Sequence, residues 1–100
     1  MRIRFTTAAR RQFLAAMAFI ADDKPSAARR YRAKAEKSLR KLGRFPNSGR
    51  TISEFPELPF RELVIGSHRY FYRVEGKTVW IVAVWHGAQS PKKPSEPTGS

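Results

Sequence analysis

Four basic residues in the C-terminal half of the chain could bind phosphate groups, namely Arg61, Arg69, Arg73 and His86. Each lies within or beside a run of β-branched and aromatic residues, so each is expected on a strand or at a strand end. Guanidinium groups pair with phosphate oxygens, and an imidazole can act as a general acid or base near neutral pH. In the alternative interpretation, the arginine stems cover apolar sheet and His86 makes a hydrogen bond at its strand end. The residues alone leave both interpretations open.

The strands that would position these side chains lie in residues 60–87. Three apolar runs are separated by two glycine-containing turns, Gly66-Ser67 and Glu75-Gly76-Lys77. Glycine between β-branched and aromatic runs predicts tight hairpins, so we expect a three-stranded antiparallel meander. One face of this sheet should pack on helices, and the other, which carries arginines and aromatic residues, should line a concave surface.

Strict alternation assigns the side chains of the last strand to two faces. One face would hold Val79, Ile81, Ala83 and Trp85, and the other Trp80, Val82, Val84 and His86. Both sets are largely apolar, which is typical of a central strand covered on both sides. Aromatic residues of the sheet could stack bases, but most are expected in the core because aromatic rings bury much area. The pair Trp85-His86 is expected at the exposed end of its strand.

The residues before the meander predict a short strand and a first helix. Arg2 to Phe5 alternates basic and apolar residues, as a short strand would, and Thr6 or Thr7 can cap the helix that follows. Apolar residues then recur at helical spacing, namely Phe13, Leu14, Met17, Ile20 and Ala21.

A second helix is expected from Pro25 to Leu42, with Gly43 as its C-terminal stop. The short link before Pro25 implies that the two helices form an antiparallel hairpin. One face of the second helix is apolar: Ala28, Tyr31, Ala35, Leu39 and Leu42. The remaining positions carry seven cations: Arg29, Arg30, Arg32, Lys34, Lys37, Arg40 and Lys41. Residues 45–50 are a turn by composition, and residues 51–59 an irregular connection with room for a short extended piece.

The cations of the second helix could bind nucleic acid or the acidic groups of a protein partner. No helix-turn-helix pattern or zinc signature favours sequence-specific DNA reading. The net charge of +12 is unevenly distributed, since residues 1–50 carry +11 and residues 51–100 carry +1. The helical half is therefore strongly basic, and the sheet half is nearly neutral.

Length and composition predict one folded domain over residues 1–89 and a disordered tail over residues 90–100, which hold three prolines and no large apolar residue. The chain has no cysteine, which fits a reducing cytoplasm. No apolar run is long enough to span a bilayer. With two histidines far apart in the sequence and no thiolate ligands, the pattern favours neither a metal site nor a cofactor.

The order of these segments resembles the RelE/ParE superfamily of type II toxin–antitoxin toxins. The segments that carry the resemblance are Leu42–Arg50, Phe60–Gly66, His68–Val74 and Val79–Gly87. The resemblance implies an α+β fold of the order β-α-α-β-β-β, with a helical hairpin against a curved antiparallel sheet. It also implies a small toxin that is neutralised by a co-expressed antitoxin.

The superfamily divides by activity. RelE-like members cleave mRNA on the ribosome with basic residues on the sheet and a basic and an aromatic residue after the last strand. ParE-like members inhibit DNA gyrase and lack that set. In this chain Arg61 and Arg69 stand where sheet cations of the nucleases occur, but Leu63 replaces a second lysine. After His86 the chain continues Gly87-Ala88-Gln89-Ser90-Pro91, without the expected arginine and tyrosine.

The resemblance therefore predicts a ParE-like gyrase inhibitor without a catalytic site, a cofactor or a small-molecule ligand. The alternative is a ribosome-dependent mRNA endonuclease that uses Arg61, Arg69 and His86. A second alternative is an inactive family member that only binds its antitoxin. An acidic antitoxin is expected along the basic hairpin and the open face of the sheet. The residues expected to bind it are Arg29, Arg30, Arg32, Arg69, Arg73 and Trp85.

Overall fold

Two helices pack on one face of a five-stranded sheet in the computed structural model, which describes residues 1–52 and 57–87. The elements in chain order are β1 (Arg2–Phe5), α1 (Thr7–Asp23), α2 (Pro25–Arg44), β2 (Arg50–Thr51), β3 (Arg61–Ile65), β4 (His68–Glu75) and β5 (Thr78–His86). The strand order across the sheet is β1-β5-β4-β3-β2. Strands β2 to β5 pair antiparallel, and β1 pairs parallel with β5.

This architecture confirms the predicted α+β fold. Two details extend it, since the sheet is mixed rather than wholly antiparallel and the two-residue β2 adds an edge strand beside β3. The hairpin turns have positive φ at their glycines, 60° at Gly66 and 59° at Gly76. Glycine adopts this conformation without steric cost, so the turns form where the sequence predicts them.

The helical hairpin begins and turns at the predicted residues. Thr6 caps α1, and its hydroxyl oxygen accepts a hydrogen bond of 3.1 Å from the backbone N–H of Ala9. Lys24 alone joins the helices, because it ends α1 and precedes Pro25 in the first turn of α2. Proline has no N–H to lose at this position, so it starts a helix at little cost.

The expected end of α2 and the expected stripe of α1 both need correction. Gly43 lies inside α2, which continues to Arg44, and a Cβ at Gly43 would lie 2.9 Å from the carbonyl oxygen of Met1. This glycine therefore permits close packing rather than stopping the helix. On α1, Leu14 is 54% exposed, while the buried residues are Ala9 and Ala16. The small alanines let α1 approach the sheet closely.

A β-bulge in β5 overturns the simple alternation predicted for that strand. Phe71 of β4 lies opposite Ala83, but the next residue, Tyr72, lies opposite Ile81, so Val82 is an extra residue. The bulge reverses the sides on which later residues lie. Val79, Ile81 and Val84 therefore join the cluster under the helices, whereas Ala83 and Trp85 join a second cluster.

The second cluster covers the sheet face that was expected to be open. It contains Ile52, Phe60, Phe71, Ala83 and Trp85, with Leu58 and Val82 packed against it. Trp85 is 2% exposed and lies edge-on against Phe71, with ring centres 4.8 Å apart. The expectation that Trp85 would be exposed is therefore wrong, although His86 next to it is exposed as predicted.

Two other expectations concern a C-terminal tail and a membrane-spanning segment. The proposed tail over residues 90–100 lies outside the described residues. In the described ranges, neither helix combines the length and the apolar character that a membrane span requires.

Candidate functional site

The three residues of the nuclease hypothesis do not converge. Arg61 lies opposite Tyr72 on the helix side of the sheet, while Arg69 lies opposite Trp85 on the other side. His86 is on the helix side but opposite His68, four positions along β4 from Tyr72. Four strand residues span about 13 Å. No single phosphate could therefore contact Arg61, Arg69 and His86 together in this arrangement.

Arg69 is held by an ion pair on the second face of the sheet. Its Nη2 lies 2.6 Å from Oε2 of Glu62, and Arg50 Nη2 lies 3.1 Å from Oε1 of the same carboxylate. The Glu62 side chain is only 3% exposed. The Arg69 guanidinium also lies 5.0 Å from the centre of the Phe71 ring, within range of a cation–π interaction.

The carboxylate of Glu62 stays charged in this environment. Burial by itself would raise its pKa, but the hydrogen bonds and positive charges of Arg69 and Arg50 outweigh that effect and lower the pKa below its ordinary value. A buried carboxylate between two guanidinium groups fixes β3 against β4 and β2. The contacts of Arg69 are therefore those of a structural residue.

The other two sheet arginines differ in their surroundings. Arg61 donates a hydrogen bond of 2.9 Å from Nη1 to the carbonyl oxygen of Gly49, and it is half-buried. Arg73 pairs with Glu75 across 3.0 Å at the surface. Arg61 thus supports the connection before β2, while Arg73 is accessible to a partner.

A cluster of histidine and tyrosine side chains lies where β4 begins and β5 ends, and the sequence pattern predicts only His86 among them as a candidate site residue. His68 lies directly opposite His86, with ring centres 5.4 Å apart, and Tyr31 of α2 lies edge-on to His68 at 5.6 Å. The hydroxyl oxygens of Tyr31 and Tyr70 are 2.8 Å apart. The two-residue turn alone would place Trp85 opposite His68, and the bulge at Val82 brings His86 there instead, so the turn signal in the sequence does not predict this pair.

Burial controls the ionisation of this cluster. It lowers the pKa of His68, and the positive charge of a protonated His86 lowers it further. Burial also raises the pKa of Tyr70 and of Tyr31, which share a hydrogen bond. His68 is therefore neutral near pH 7, and both tyrosines keep their protons. A cavity of about 380 Å³ beside these histidines is also lined by Gln12, Phe19 and Val84.

A second cavity lies between the helical hairpin and the edge of the sheet at β1. Its volume is about 470 Å³. Apolar residues from several elements line it, including Phe5, Phe13, Leu14, Leu39 and Trp80. Arg4, Arg10 and Arg32 also line it, together with Glu36. We call this cavity the hairpin groove.

The exposed cations of α2 include one that lines the hairpin groove. The seven predicted residues, Arg29, Arg30, Arg32, Lys34, Lys37, Arg40 and Lys41, are all exposed. Arg32 also lines the groove. An apolar groove beside a cationic helix could bind an acidic amphipathic segment of another protein.

Comparison with known families identifies the chain. The family model for the ParE toxin of type II toxin–antitoxin system, parDE, matches residues 3–91. The chain belongs to this family. It is a type II toxin–antitoxin toxin of the ParE/RelE superfamily, as the resemblance predicted.

Solved structures share the fold of this ParE-family toxin. A chain of the chromosomal ParDE toxin–antitoxin system from P. aeruginosa has a TM-score of 0.67 and 20% sequence identity, and the match covers 86% of this chain and 95% of that chain. A chain of the toxin–antitoxin complex RelBE2 from Mycobacterium tuberculosis has a TM-score of 0.58 and 25% identity, with coverage of 88% and 92%. No curated protein matches this ParE-family sequence.

Proposed function

We propose that this toxin blocks growth by binding DNA gyrase and that an acidic antitoxin holds it inactive. The observation that carries the proposal is the match of residues 3–91 to the ParE family. Members that resemble ParE inhibit gyrase without hydrolysing RNA. The proposal places the toxin in the cytoplasm, where gyrase acts.

The arrangement of the basic residues supports gyrase over RNA as the target. Cleavage of a phosphodiester needs a base, an acid and a charge-stabilising group that all reach one phosphate. Arg61 and Arg69 lie on opposite sides of the sheet, and Arg69 is paired with the buried Glu62. A ribonuclease mechanism would have to break that ion pair before Arg69 could bind a phosphate.

The hairpin groove is the surface that best fits an antitoxin. Both solved neighbours described above come from toxin–antitoxin systems. The groove combines apolar lining from Leu14, Leu39 and Trp80 with the positive charge of Arg32 and the exposed cations of α2. An acidic segment with apolar anchors would bury those side chains and neutralise the cations.

The predicted antitoxin contacts differ in their accessibility. Arg29, Arg30 and Arg32 are exposed on α2, and Arg73 is partly exposed at the sheet surface. Arg69 is 14% exposed in its ion pair, and Trp85 is buried. We therefore assign antitoxin capture chiefly to the α2 cations and the hairpin groove, while roles for Arg69, Arg73 and Trp85 stay predictions.

Two parallel assays test the proposed target. Purified toxin is added to a gyrase supercoiling reaction and to a translating extract in which mRNA cleavage is mapped. We expect inhibition of supercoiling and intact mRNA, and we expect supercoiling to be restored when the acidic antitoxin is added. Cleavage of mRNA with normal supercoiling would overturn the proposal.

A single substitution tests the ribonuclease alternative. His86→Gln keeps the size and polarity of an exposed side chain but removes the imidazole. If the toxin were a ribosome-dependent nuclease, this variant would lose cleavage while keeping antitoxin affinity. If expression of the wild-type chain caused no growth arrest, the second alternative, an inactive antitoxin-binding member, would replace the gyrase proposal.

A further inference from the structure

The only two histidines of the chain are brought together by the register of one hairpin. His68 begins β4 and His86 ends β5, and they are direct cross-strand partners. Directly opposed residues on antiparallel strands have Cβ atoms about 4.5–5.5 Å apart. Two imidazoles at this spacing can reach a common atom between them.

The separation of the rings fits a shared metal ion. Zinc binds imidazole nitrogen at about 2.0–2.1 Å in tetrahedral geometry, which places two ligand ring centres about 5.2 Å apart. The observed separation of the ring centres is 5.4 Å, and the ring planes are at 85° to each other. Because the rings pack edge to face, a rotation of the exposed His86 side chain would be needed to turn a nitrogen of each ring towards one ion.

The state of His68 suits a metal ligand. Its Nδ1 is buried, and no hydrogen bond within residues 1–52 and 57–87 satisfies that atom. A buried nitrogen without a partner is costly, so a bound cation would relieve a polar group that the described residues leave unsatisfied.

The surrounding cavity has room for further ligands and an entry path. Its volume of about 380 Å³ exceeds the space that several water molecules occupy, and His86 at its edge is exposed. The other lining residues are Gln12, Ala15, Ala16, Phe19 and Val84, none of which is a carboxylate. This environment disfavours Ca²⁺ and Mg²⁺, which require several oxygen ligands, and favours ions that prefer imidazole.

We propose that His68 and His86 form a two-histidine site for a late first-row divalent ion such as Zn²⁺ or Ni²⁺, with water in the remaining positions. No group of three or more metal-binding side chains exists among the described residues, so the protein supplies two ligands. Two ligands predict weak, reversible binding rather than a permanently occupied structural site. Bound metal would connect the beginning of β4 to the end of β5 and would stabilise the folded state.

The test uses the full chain without a polyhistidine tag. Zn²⁺ and Ni²⁺ are titrated by calorimetry, and imidazole resonances are followed by NMR in the Zn²⁺ titration. We expect saturable 1:1 binding, simultaneous shifts of both histidine side chains, and a melting temperature that rises with metal and falls back with EDTA. His86→Gln and His68→Gln should each weaken binding by about tenfold or more.

Two control variants separate this site from unspecific binding. Phe19→Ala changes a residue of the same cavity that has no donor atom, and Asp22→Asn with Asp23→Asn removes the exposed acidic pair at the end of α1. Both should bind metal as the wild type does. Absence of saturable binding at millimolar metal, or unchanged binding by the exposed-site variant His86→Gln, would overturn the proposal. Either of these two results would overturn the metal site without bearing on the proposal that the toxin binds gyrase.

Discussion

Arg69 donates a hydrogen bond of 2.6 Å from Nη2 to Oε2 of Glu62, and the two side chains are 14% and 3% exposed. Glu62 is the only buried charged residue within the described part of the chain. The pair faces Phe71 and the second cluster rather than the helical hairpin. An arginine that is suited by position to bind phosphate is thus used to neutralise a buried carboxylate.

Glu62→Gln should destabilise the fold by about 2–3 kcal/mol at pH 7, because it leaves the largely buried Arg69 cation without its counter-charge. Urea unfolding measures the change. Glu75→Gln is the matched control, since Glu75 pairs with Arg73 at the surface and should change the free energy of unfolding by less than about 1 kcal/mol. Equal effects of the two substitutions would contradict the structural role of Glu62.

The contribution of Glu62 should disappear in acid. Its pKa is lowered in the folded state, so its stabilising effect is complete above the unfolded-state pKa of about 4.3 and is lost as the pH falls through the folded-state pKa. The stability difference between wild type and Glu62→Gln should therefore shrink below about pH 4. Urea unfolding at a series of pH values measures it, and a constant difference would show that the ion pair is not its cause.

Tyr72→Phe should lower the free energy of unfolding by about 1–3 kcal/mol. The Tyr72 hydroxyl accepts a hydrogen bond of 2.9 Å from the N–H of Gly49 and donates one of 2.8 Å to the carbonyl oxygen of Pro46. Its removal leaves two backbone groups of the α2–β2 connection without that partner. Phe45→Leu, in the same connection but 56% exposed, should change stability by less than about 0.5 kcal/mol. Thermal or urea unfolding distinguishes the two variants.

Charge reversal of Arg29, Arg30 and Arg32 to Glu should weaken antitoxin binding and reduce its dependence on salt, because these exposed cations attract an acidic partner. The affinity is measured by calorimetry at low and moderate ionic strength. The control reverses three exposed cations outside α2 and outside the hairpin groove, Arg2, Arg11 and Lys77, and so makes the same change in net charge. If both triple variants lose affinity equally, net charge rather than a local surface governs capture.

Leu14→Ser should weaken antitoxin binding about fourfold to fifteenfold without unfolding the toxin. Leu14 lines the hairpin groove and is 54% exposed, so burial of its exposed area by a partner would contribute about 0.8–1.6 kcal/mol. Val64→Ser is the matched control, since Val64 is 50% exposed on β3 and does not line the groove. An unchanged affinity of Leu14→Ser would exclude the groove as the docking surface.

The sequence predicts the order of elements because local signals act at each boundary. The cap at Thr6, the proline at position 25 and the positive-φ glycines at 66 and 76 each determine a nearby backbone conformation. These signals depend on neighbouring residues only, so they can be read without knowing the tertiary structure.

The candidate sites were harder to predict because they depend on pairing between distant residues. The bulge at Val82 has no signal in the composition of β5, and it moves Trp85 into the second cluster. The local sequence around Glu62 does not indicate its two ion pairs, which form because β3 lies between β2 and β4 and so places Glu62 beside Arg50 and Arg69. The role of Gly43 depends on its contact with Met1, which is distant in sequence, so the local pattern predicts a helix stop there instead.

The bulge at Val82 determines which residues at the end of β5 face the helices. Because of this extra residue, Val79 and Ile81 lie on the helix side of the sheet, whereas Ala83 and Trp85 lie on the other side. In a strand of the same length without the bulge, Trp85 would face the helices and His86 would face away from them, whereas deletion of Val82 would leave both on their present sides. This one extra residue, more than the identity of any one apolar residue of β5, therefore decides which surface the toxin presents at the end of that strand.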